Sequence, residues 1–406
     1  MQKQDPRIRG TSVALTKHNL ANMLVSVFYG RAAQASGVEQ VAIPHLVDVR
    51  SPALVKRPGK LRIAQVAPLS ESVPPQLYGG TERVVAILTD ELVRQGHDVT
   101  LFASGDSQTE ATLVAPVPKA LRLAKCADPL AHHLLLVEQV IQRAEQFDVI
   151  HFHIAPLHFS MARRLATPHV TTLHGRLDLP EIVTLYGEFS DLPLVSVSDA
   201  QREPLPNQNW VGTVYHGLPN RDLRFSAGEG TYLAFLGRIS PEKRLDRAIA
   251  IAKACGVPLR IAAKVDPADQ VYFEREIKPL LDDPLIEYLG EIGEADKSAF
   301  LGGAIALLFP IDWPEPFGLV MIESLACGTP VVAIRGGSVP EVLEHGVTGF
   351  ICSDVADAIE ATKRIHTLDR RTCRRAFERR FTARRMAEEY SRLYRRIGSG
   401  AAASAD

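Results

Sequence analysis

The chain reads as an α/β protein made of two Rossmann-like halves, and three observations lead there. From Lys60 onward, short apolar stretches that end in polar residues or glycine alternate with amphipathic stretches of helical period. That alternation is the mark of βαβ units and a parallel sheet with helices on both faces. The series restarts at Thr231, and between the two lies the polar, glycine-bearing "NRDLRFSAGEG" (220–230), which reads as a hinge.

In the first series, "LRIAQVAP" is a strand, "TERVVAILTDELVRQG" a helix closing on Gly96, and "HDVTLFAS" a second strand. Glycine suits the left-handed residue that ends many helices. "FDVIHFHI", "HVTTLHG" and "LPLVSVSD" follow, each apolar through its body, as strands covered on both faces are. In the second series, "TYLAFLGRIS" is a strand running into a loop, and "PEKRLDRAIAIAKACG" is a helix with Pro241 near its first turn. "VPLRIAAKV", "LIEYLGEI", "AIALLFPI" and "TPVVAIRGG" are further strands. The expected domains are therefore 60–219 and 231–370, followed by a helix over 371–397. From Lys363 to Ile397 thirteen Lys or Arg stand against four acids. Phe377, Phe381, Met386, Tyr390, Leu393, Tyr394 and Ile397 recur near helical spacing, so a packed amphipathic helix with a solvated basic face is expected, rather than a membrane or nucleic-acid patch.

The 406 residues are 46% hydrophobic and 23% charged with a net charge of -1, the profile of a soluble protein with room for two cores. No apolar run reaches the roughly 18 residues of a membrane span, and the charge balance argues against a general nucleic-acid binder. Five scattered cysteines fit a reducing cytoplasm and give no zinc-site spacing. Residues 1–59 place basic residues before "NMLVSVFY" and "GRAAQASG", loosely like a signal peptide, but the apolar run is short and begins at Asn22. A poorly ordered extension is expected there, and a disordered tail over 398–406.

Ligands of open parallel sheets collect at the carboxyl ends of the strands, and four polar clusters fall there. Gly79, Gly80 and Thr81 open the first helix, where free backbone N–H groups can face an anion. His174 and Gly175 end "VTTLHG". Arg238 ends "YLAFLGR", with Lys243 in the first turn of the next helix. Phe317 and Gly318 begin the helix that holds Glu323. A cation near a helix N-terminus is opposed by the macrodipole by about 0.3–1 kcal/mol; a diphosphate beside Arg238 and Lys243 would pair both charges and reverse that penalty. With phosphate on the N–H groups of Gly318, Leu319 and Val320, each nearby acid must face something neutral. Glu323 suits a ribose diol, whose two hydroxyls a carboxylate accepts, and Glu315 suits hydroxyls of a sugar beyond the phosphates. The spacing fits a nucleotide sugar.

At this point the residues resemble a known family. "EPFGLVMIE" resembles the E-x7-E signature of retaining glycosyltransferases of the GT-B fold, family 4. "YGGTERVVAILTDELVRQGHDVTLFA", "DVIHFH", "TTLHG" and "GRISPEKRLDRAI" extend the likeness over roughly Lys60 to Arg396. The resemblance implies two domains facing across a cleft, with the last helix crossing back to the N-terminal domain. It implies that Arg238 and Lys243 bind the diphosphate and stabilise the leaving charge, that Glu315 and Glu323 contact donor sugar and ribose, and that His174 lines the reaction centre. Gly80 would belong to the loop closing on the diphosphate, and the base would meet backbone at Gly290, Glu291 and Ile292. Also implied are retention at the anomeric carbon, no metal or cofactor beyond the donor (a UDP-sugar foremost), and at most peripheral contact with a membrane. "GRLDLPEIVTLYGEFSDLP" (175–193) would line the side of the acceptor, which is a sugar, a lipid-linked sugar or a small metabolite. The chain departs from the family at "HGLP" (216–219), where an Asn-Gly-Val-Asp stretch is common.

Other readings are weaker. His151, His153 and His158 form H-x-H-x4-H, but no carboxylate or cysteine completes a metal set. A nicotinamide enzyme needs G-x-G-x-x-G after the first strand, and "APLSESVPPQLYGGTE" offers two adjacent glycines. A nucleotide-sugar epimerase would share the fold and donor clamp, and a non-catalytic sensor would have little use for all of Glu315, Glu323, Arg238, Lys243 and His174.

Overall fold

A computed structural model describes residues 59–76 and 79–399. The expected N-terminal extension, Gly59 apart, and the tail from residue 400 lie outside the described residues.

Two fully parallel sheets organise the chain. The first contains β1 (Arg62–Val66), β2 (Asp98–Phe102), β3 (Thr112–Val114), β4 (Val149–Phe152), β5 (His169–Thr172), β6 (Leu194–Ser196) and β7 (Trp210–Thr213). Their order is β3-β2-β1-β4-β5-β6-β7. The second contains β8 (Tyr232–Arg238), β9 (Leu259–Lys264), β10 (Ile286–Gly290), β11 (Ala304–Phe309), β12 (Val331–Ile334) and β13 (Gly349–Cys352), in the order β10-β9-β8-β11-β12-β13. Both are Rossmann orders whose direction reverses beside the first strand, between β1 and β4 and between β8 and β11, where doubly wound sheets hold ligands.

The main helices are α1 (Gly80–Arg94), α2 (Pro129–Gln142), α3 (Pro180–Glu188), α4 (Leu245–Cys255), α5 (Glu294–Gly302), α6 (Leu319–Ala326), α7 (Val355–Lys363), α8 (Arg370–Arg380) and α9 (Ala383–Gly398). Successive strand residues point to opposite faces, so each sheet feeds two cores. Leu233 and Phe235 of β8 pack with α4 and α7, while Tyr232 and Ala234 pack with α5, α6 and α8. In the first sheet Ile63, Val149 and Val170 face α1 and α9, and Ala64, Val66, Ile150 and Phe152 face α2. On the α1 and α9 side the residues two and four positions further toward the carboxyl ends are polar: Gln65, His151, His153, Thr172 and His174. That switch from apolar to polar along one face prepares the site.

Two expectations need correction. The segment 220–230 is no free hinge: Leu223 is buried, the Ser226 N–H donates to the Cys327 carbonyl at 3.0 Å, and Arg374 Nη1 donates to the Leu223 carbonyl at 2.9 Å. The chain instead crosses between sheets at 216–218 and again at 381–383, and the crossings pair side by side: Leu218 N–H donates to Phe381 O, and Ala383 N–H to Leu218 O, each at 2.9 Å. Gly217 allows that approach, because a Cβ there would collide with the Thr382 carbonyl. The single helix expected over 371–397 is accordingly two. α8 packs on the second domain and α9 on the first, where Tyr390 and Tyr394 are fully buried. Much of the basic face is also committed. Arg370 donates to the carbonyls of Ser226, Gly302 and Ala304, and Arg374 to those of Leu223 and Ala326. Gly302 and Ala326 end α5 and α6, so these arginines cover helix C-termini, where orphan carbonyls and the dipole favour a cation.

Candidate active site

The N-termini of α1 and α6 meet where the carboxyl ends of the two sheets face each other. Leu319 Cδ1 lies 3.9 Å from where a Cβ of Gly80 would stand, and Leu319 packs against cores of both domains. Gly318 precedes α6 at φ +77°, and a Cβ there would come within 2.7 Å of Met321 Cε. Only glycine makes this turn without strain, which keeps the free N–H groups of α6 beside Glu315 and Glu323.

Glu323 is 2% exposed, and its carboxylate is held by Arg83 from α1 and by Lys297 Nζ from α5 at 2.9 Å. Arg83 also pairs with Glu294 at 2.8 Å. Burial acts on the acid most strongly and would raise its pKa, but attraction and hydrogen bonds from Arg83 and Lys297 outweigh it and hold the group at about 2. Glu315 accepts from Lys243 Nζ and from Trp313 Nε1, the latter at 3.0 Å, and Lys243 lies over the Trp313 ring, 4.7 Å from its centroid. Arg238 pairs with Glu242 and stands 3.3 Å from Asp269 and 3.7 Å from Asp266.

These contacts correct the expected electrostatics. Neither acid faces only neutral groups, and Arg238 and Lys243 already have carboxylate partners. Lys243 also does not lie in the first turn of the following helix: Pro241–Lys243 is a short 3-10 turn, Arg244 adopts φ +53°, and α4 begins at Leu245. The macrodipole argument for Lys243 lapses with that geometry. Half-buried cations need nearby anions, and the partners come from carboxylates that one loop read alone does not reveal. Phe317 is corrected as well. Its side chain is buried in the domain junction, 4.9 Å from the His216 ring centroid and 6.1 Å from that of Phe381, so only its backbone can face a ligand. Val320 packs against the same core.

The remaining candidates fall at strand or helix ends. Gly79 is the N-cap of α1 and Thr81 lies in its first turn. Gly290 ends β10 at φ +74°, and Glu291 and Ile292 lead toward α5, whose Glu294 holds Arg83. His174 follows β5 and is half-buried between His153 and His216. Its Nε2 lies 2.9 Å from His153 Nδ1, and its ring stacks on His216 at 5.4 Å and 15°. Burial pulls the pKa of His174 down to about 4 and those of His153 and His216 well below the usual value. His216 Nδ1 is buried without a hydrogen-bond partner among the described residues. The three histidines of H-x-H-x4-H do not converge: His151 and His153 share one face with ring centroids 4.0 Å apart, while His158 stacks on Phe152 and bonds Thr171.

Sequence reasoning missed four groups. Arg83 and Lys297 are the partners of Glu323. Glu341 accepts from the N–H groups of Asp199 and Ala200 at 2.7 and 2.8 Å and from Tyr215 Oη at 3.0 Å, which ties the domains together. Ser198 adds a bond to the Pro316 carbonyl at 2.6 Å. Arg83, directly after "GGTE", carried the only local signal: a cation in the first turn of a helix already assigned to anion binding. Between Arg176–Asp178 and Pro314–Pro316 only about 10 Å³ is open, at most the room of one water. A cavity of about 540 Å³ beside Trp313 is lined by Arg247, Arg335 and Asp354, among others, and by none of the expected site residues.

Two parallel α/β sheets meeting by their carboxyl ends, with a last helix returning to the first domain, define the GT-B class of fold. Residues 221–378 match the family model described as glycosyl transferases group 1, and residues 78–202 match that of glycosyltransferase family 4. The chain is 24% identical over 373 residues to the N-acetyl-alpha-D-glucosaminyl L-malate synthase of Bacillus anthracis, spanning 78% of this chain and 93% of that protein. It is similar to the solved structure of AviGT4, a glycosyltransferase involved in avilamycin A biosynthesis, at 25% identity and TM-score 0.63 over 84% of this chain and 99% of that one. Anabaena HepE, solved with UDP-glucose, shares the fold at 19% identity and TM-score 0.60 over 84% of this chain and 100% of that one. The chain belongs to the family 4, group 1 glycosyltransferases.

Proposed function

We propose that this glycosyltransferase takes its sugar from a nucleoside-diphosphate sugar, a UDP-sugar foremost, and transfers it with retention of anomeric configuration and without a divalent cation. The observation that carries the reading is the set of ion pairs at the meeting of α1 and α6: each acid of the E-x7-E pair is bound by a cation that a diphosphate can claim. Donor binding then exchanges partners. Lys243 and Arg83 turn to the phosphates, beside Arg238 and the N–H groups of α6. Glu315 and Glu323, released, accept from sugar and ribose hydroxyls. The cations neutralise the charge that grows on the leaving diphosphate, the work a metal does elsewhere. His174, neutral at pH 7, hydrogen-bonds a hydroxyl near the transferred carbon, and the acceptor enters from the side of residues 175–193. HepE, of the same fold and solved with UDP-glucose, makes uridine the first base to test. Five free cysteines suit the reducing cytoplasm. Among the described residues no helix is long and apolar enough to cross a membrane, which leaves peripheral contact for a lipid-linked acceptor.

The test is a thermal-shift panel of UDP, GDP and ADP in the presence of a chelator, followed by transfer assays with the corresponding sugars. A rise in Tm with one diphosphate, and turnover of its sugar unaffected by chelation, is expected. No shift with any of them, or a rate restored only by zinc or magnesium, would overturn the reading.

A further inference from the structure

A continuous run of buried hydrogen bonds joins His174 to the C-terminal helix, and nothing in the proposed donor clamp uses it. Gln65 sits at its centre: its Nε2 donates to Tyr394 Oη at 3.1 Å, and its Oε1 lies 2.8 Å from His153 Nε2. With the Gln65 amide turned so that its oxygen faces His153, and since an amide oxygen only accepts, His153 carries its proton on Nε2. The bare Nδ1 of His153 must then accept, and the atom it meets, at 2.9 Å, is His174 Nε2. The other arm obeys the same rule. Tyr394 accepts from Gln65 and gives its own proton to His151 Nδ1 at 2.7 Å. His151 Nε2 then donates to Thr172 Oγ1 at 2.7 Å, and Thr172 to Tyr390 Oη at 2.8 Å. Gln65, His151, Thr172, Tyr390 and Tyr394 are at most 1% exposed, so water does not offer substitute partners. Each link holds one proton and one lone pair, and no single imidazole in the run can change tautomer without breaking its neighbours' bonds.

We propose that Gln65, His153 and Tyr394 are positioning residues for His174: the chain anchored on α9 fixes its imidazole as the Nε2–H tautomer and leaves Nδ1 to accept a hydrogen bond from a substrate hydroxyl. The proposal rests on the reading of His174 as part of the reaction centre. His174 Nδ1 makes no hydrogen bond among the described residues. An acceptor-only nitrogen repels phosphate oxygens and pairs with an O–H, so the group it orients belongs to a sugar, donor or acceptor, and not to the diphosphate. Stacking on His216 holds the ring plane while the chain holds its protons.

The tautomer can be read directly. In full-length protein labelled with 15N-histidine, long-range proton–nitrogen correlations distinguish the two ring nitrogens, and the His174→Gln variant assigns the signal. A protonated Nε2 and a bare Nδ1 are expected at neutral pH. A protonated Nδ1, or an average of both tautomers in the wild-type protein, overturns the proposal without any activity measurement. Tyr394→Phe removes the anchor and lets the Gln65 amide turn. That variant should show mixed tautomers at His174 and a kcat lower by roughly tenfold to a hundredfold, with donor KM within about twofold. A folded Tyr394→Phe protein with unchanged tautomer and unchanged kcat also overturns it. If Tyr394→Phe does not fold, the wild-type spectrum decides alone. Lack of turnover by the wild-type enzyme with every nucleotide sugar would count against the proposed reaction, and the nitrogen spectrum would still decide the chain.

Discussion

Lys243 and Glu315 neutralise each other in the donor-free protein, and the two cations Arg83 and Lys297 are balanced by the two acids Glu323 and Glu294, so removing any one charge leaves its partners short of their full complement. Lys243→Met leaves the buried Glu315 carboxylate with only the Trp313 indole, and urea unfolding should show a loss of about 1–3 kcal/mol. Adding Glu315→Gln should return most of that stability, while donor turnover stays low. The two acids should also separate in calorimetric titrations. Glu315→Gln is expected to bind free diphosphate as well as or better than wild type, because Lys243 is then unpaired, and to lose the sugar donor. Glu323→Gln is expected to lose both ligands by roughly tenfold or more, since the diol loses its charged acceptor. Equal losses of both ligands in both variants would show the acids to be a single structural unit. The acids, the two cations and the Gly318 turn were legible in the sequence because each sits at the end of an element whose pattern is plain. Their ion pairs were not. Glu323 and Arg83 are 240 positions apart, and only the packing of α1 on α6 brings them together.

Among the elements, α6 depends on the glycine that precedes it. Gly318→Ala forces a Cβ into φ +77° and against Met321 Cε at 2.7 Å, so a cost of about 1–3 kcal/mol is expected. The turn should also relax away from the ligand, with donor affinity falling alongside Tm; a lowered Tm with unchanged affinity would separate the turn from the site. The helix and strand series were readable because apolar period and glycine caps coincide in elements such as α1 and β11. The break at Phe381–Thr382 left only a change of phase in the sequence. Phe377 and Phe381 share one helical stripe, but Met386, Tyr390 and Tyr394 lie on another, roughly 140° further round at about 100° per residue, and the pairing of Thr382 with Leu218, itself a tertiary contact, marks where the two domains part. Arg370 and Arg374 likewise looked like surface charge because their partners are backbone carbonyls, which leave no trace in composition.

For the whole molecule, the buried imidazoles set the response to acid. Burial lowers the pKa of His151, His153, His158 and His216 well below 6.5, and that of His174 to about 4. Between pH 6.5 and about 4 the unfolded chain therefore binds protons that the folded chain refuses. Stability is fully present above pH 6.5 and is lost as pH falls toward 4, by up to about 1.4 kcal/mol per pH unit for each such histidine. Glu323 acts lower, losing its contribution only as pH falls from 4.5 toward about 2. Urea midpoints should be level near pH 7.5 and fall steeply below pH 6.5, with unfolding taking up several protons. A midpoint flat down to pH 5 would mean that these imidazoles are charged in the folded protein.

The placement of Tyr390 and Tyr394 inside the first domain bears on how the protein is made. During synthesis the strands of that domain leave the ribosome first, yet the side chains that complete the core over β1, β4 and β5 are among the last to be added. The second domain closes on itself with α8, some ten residues before Tyr390 emerges. The earliest-made domain is thus the last to mature, and it must wait, with Gln65, His151 and His153 still open to water, until α9 arrives. A nascent chain stalled just past Arg380 should hold a protease-resistant second domain beside a first domain that is still readily cut.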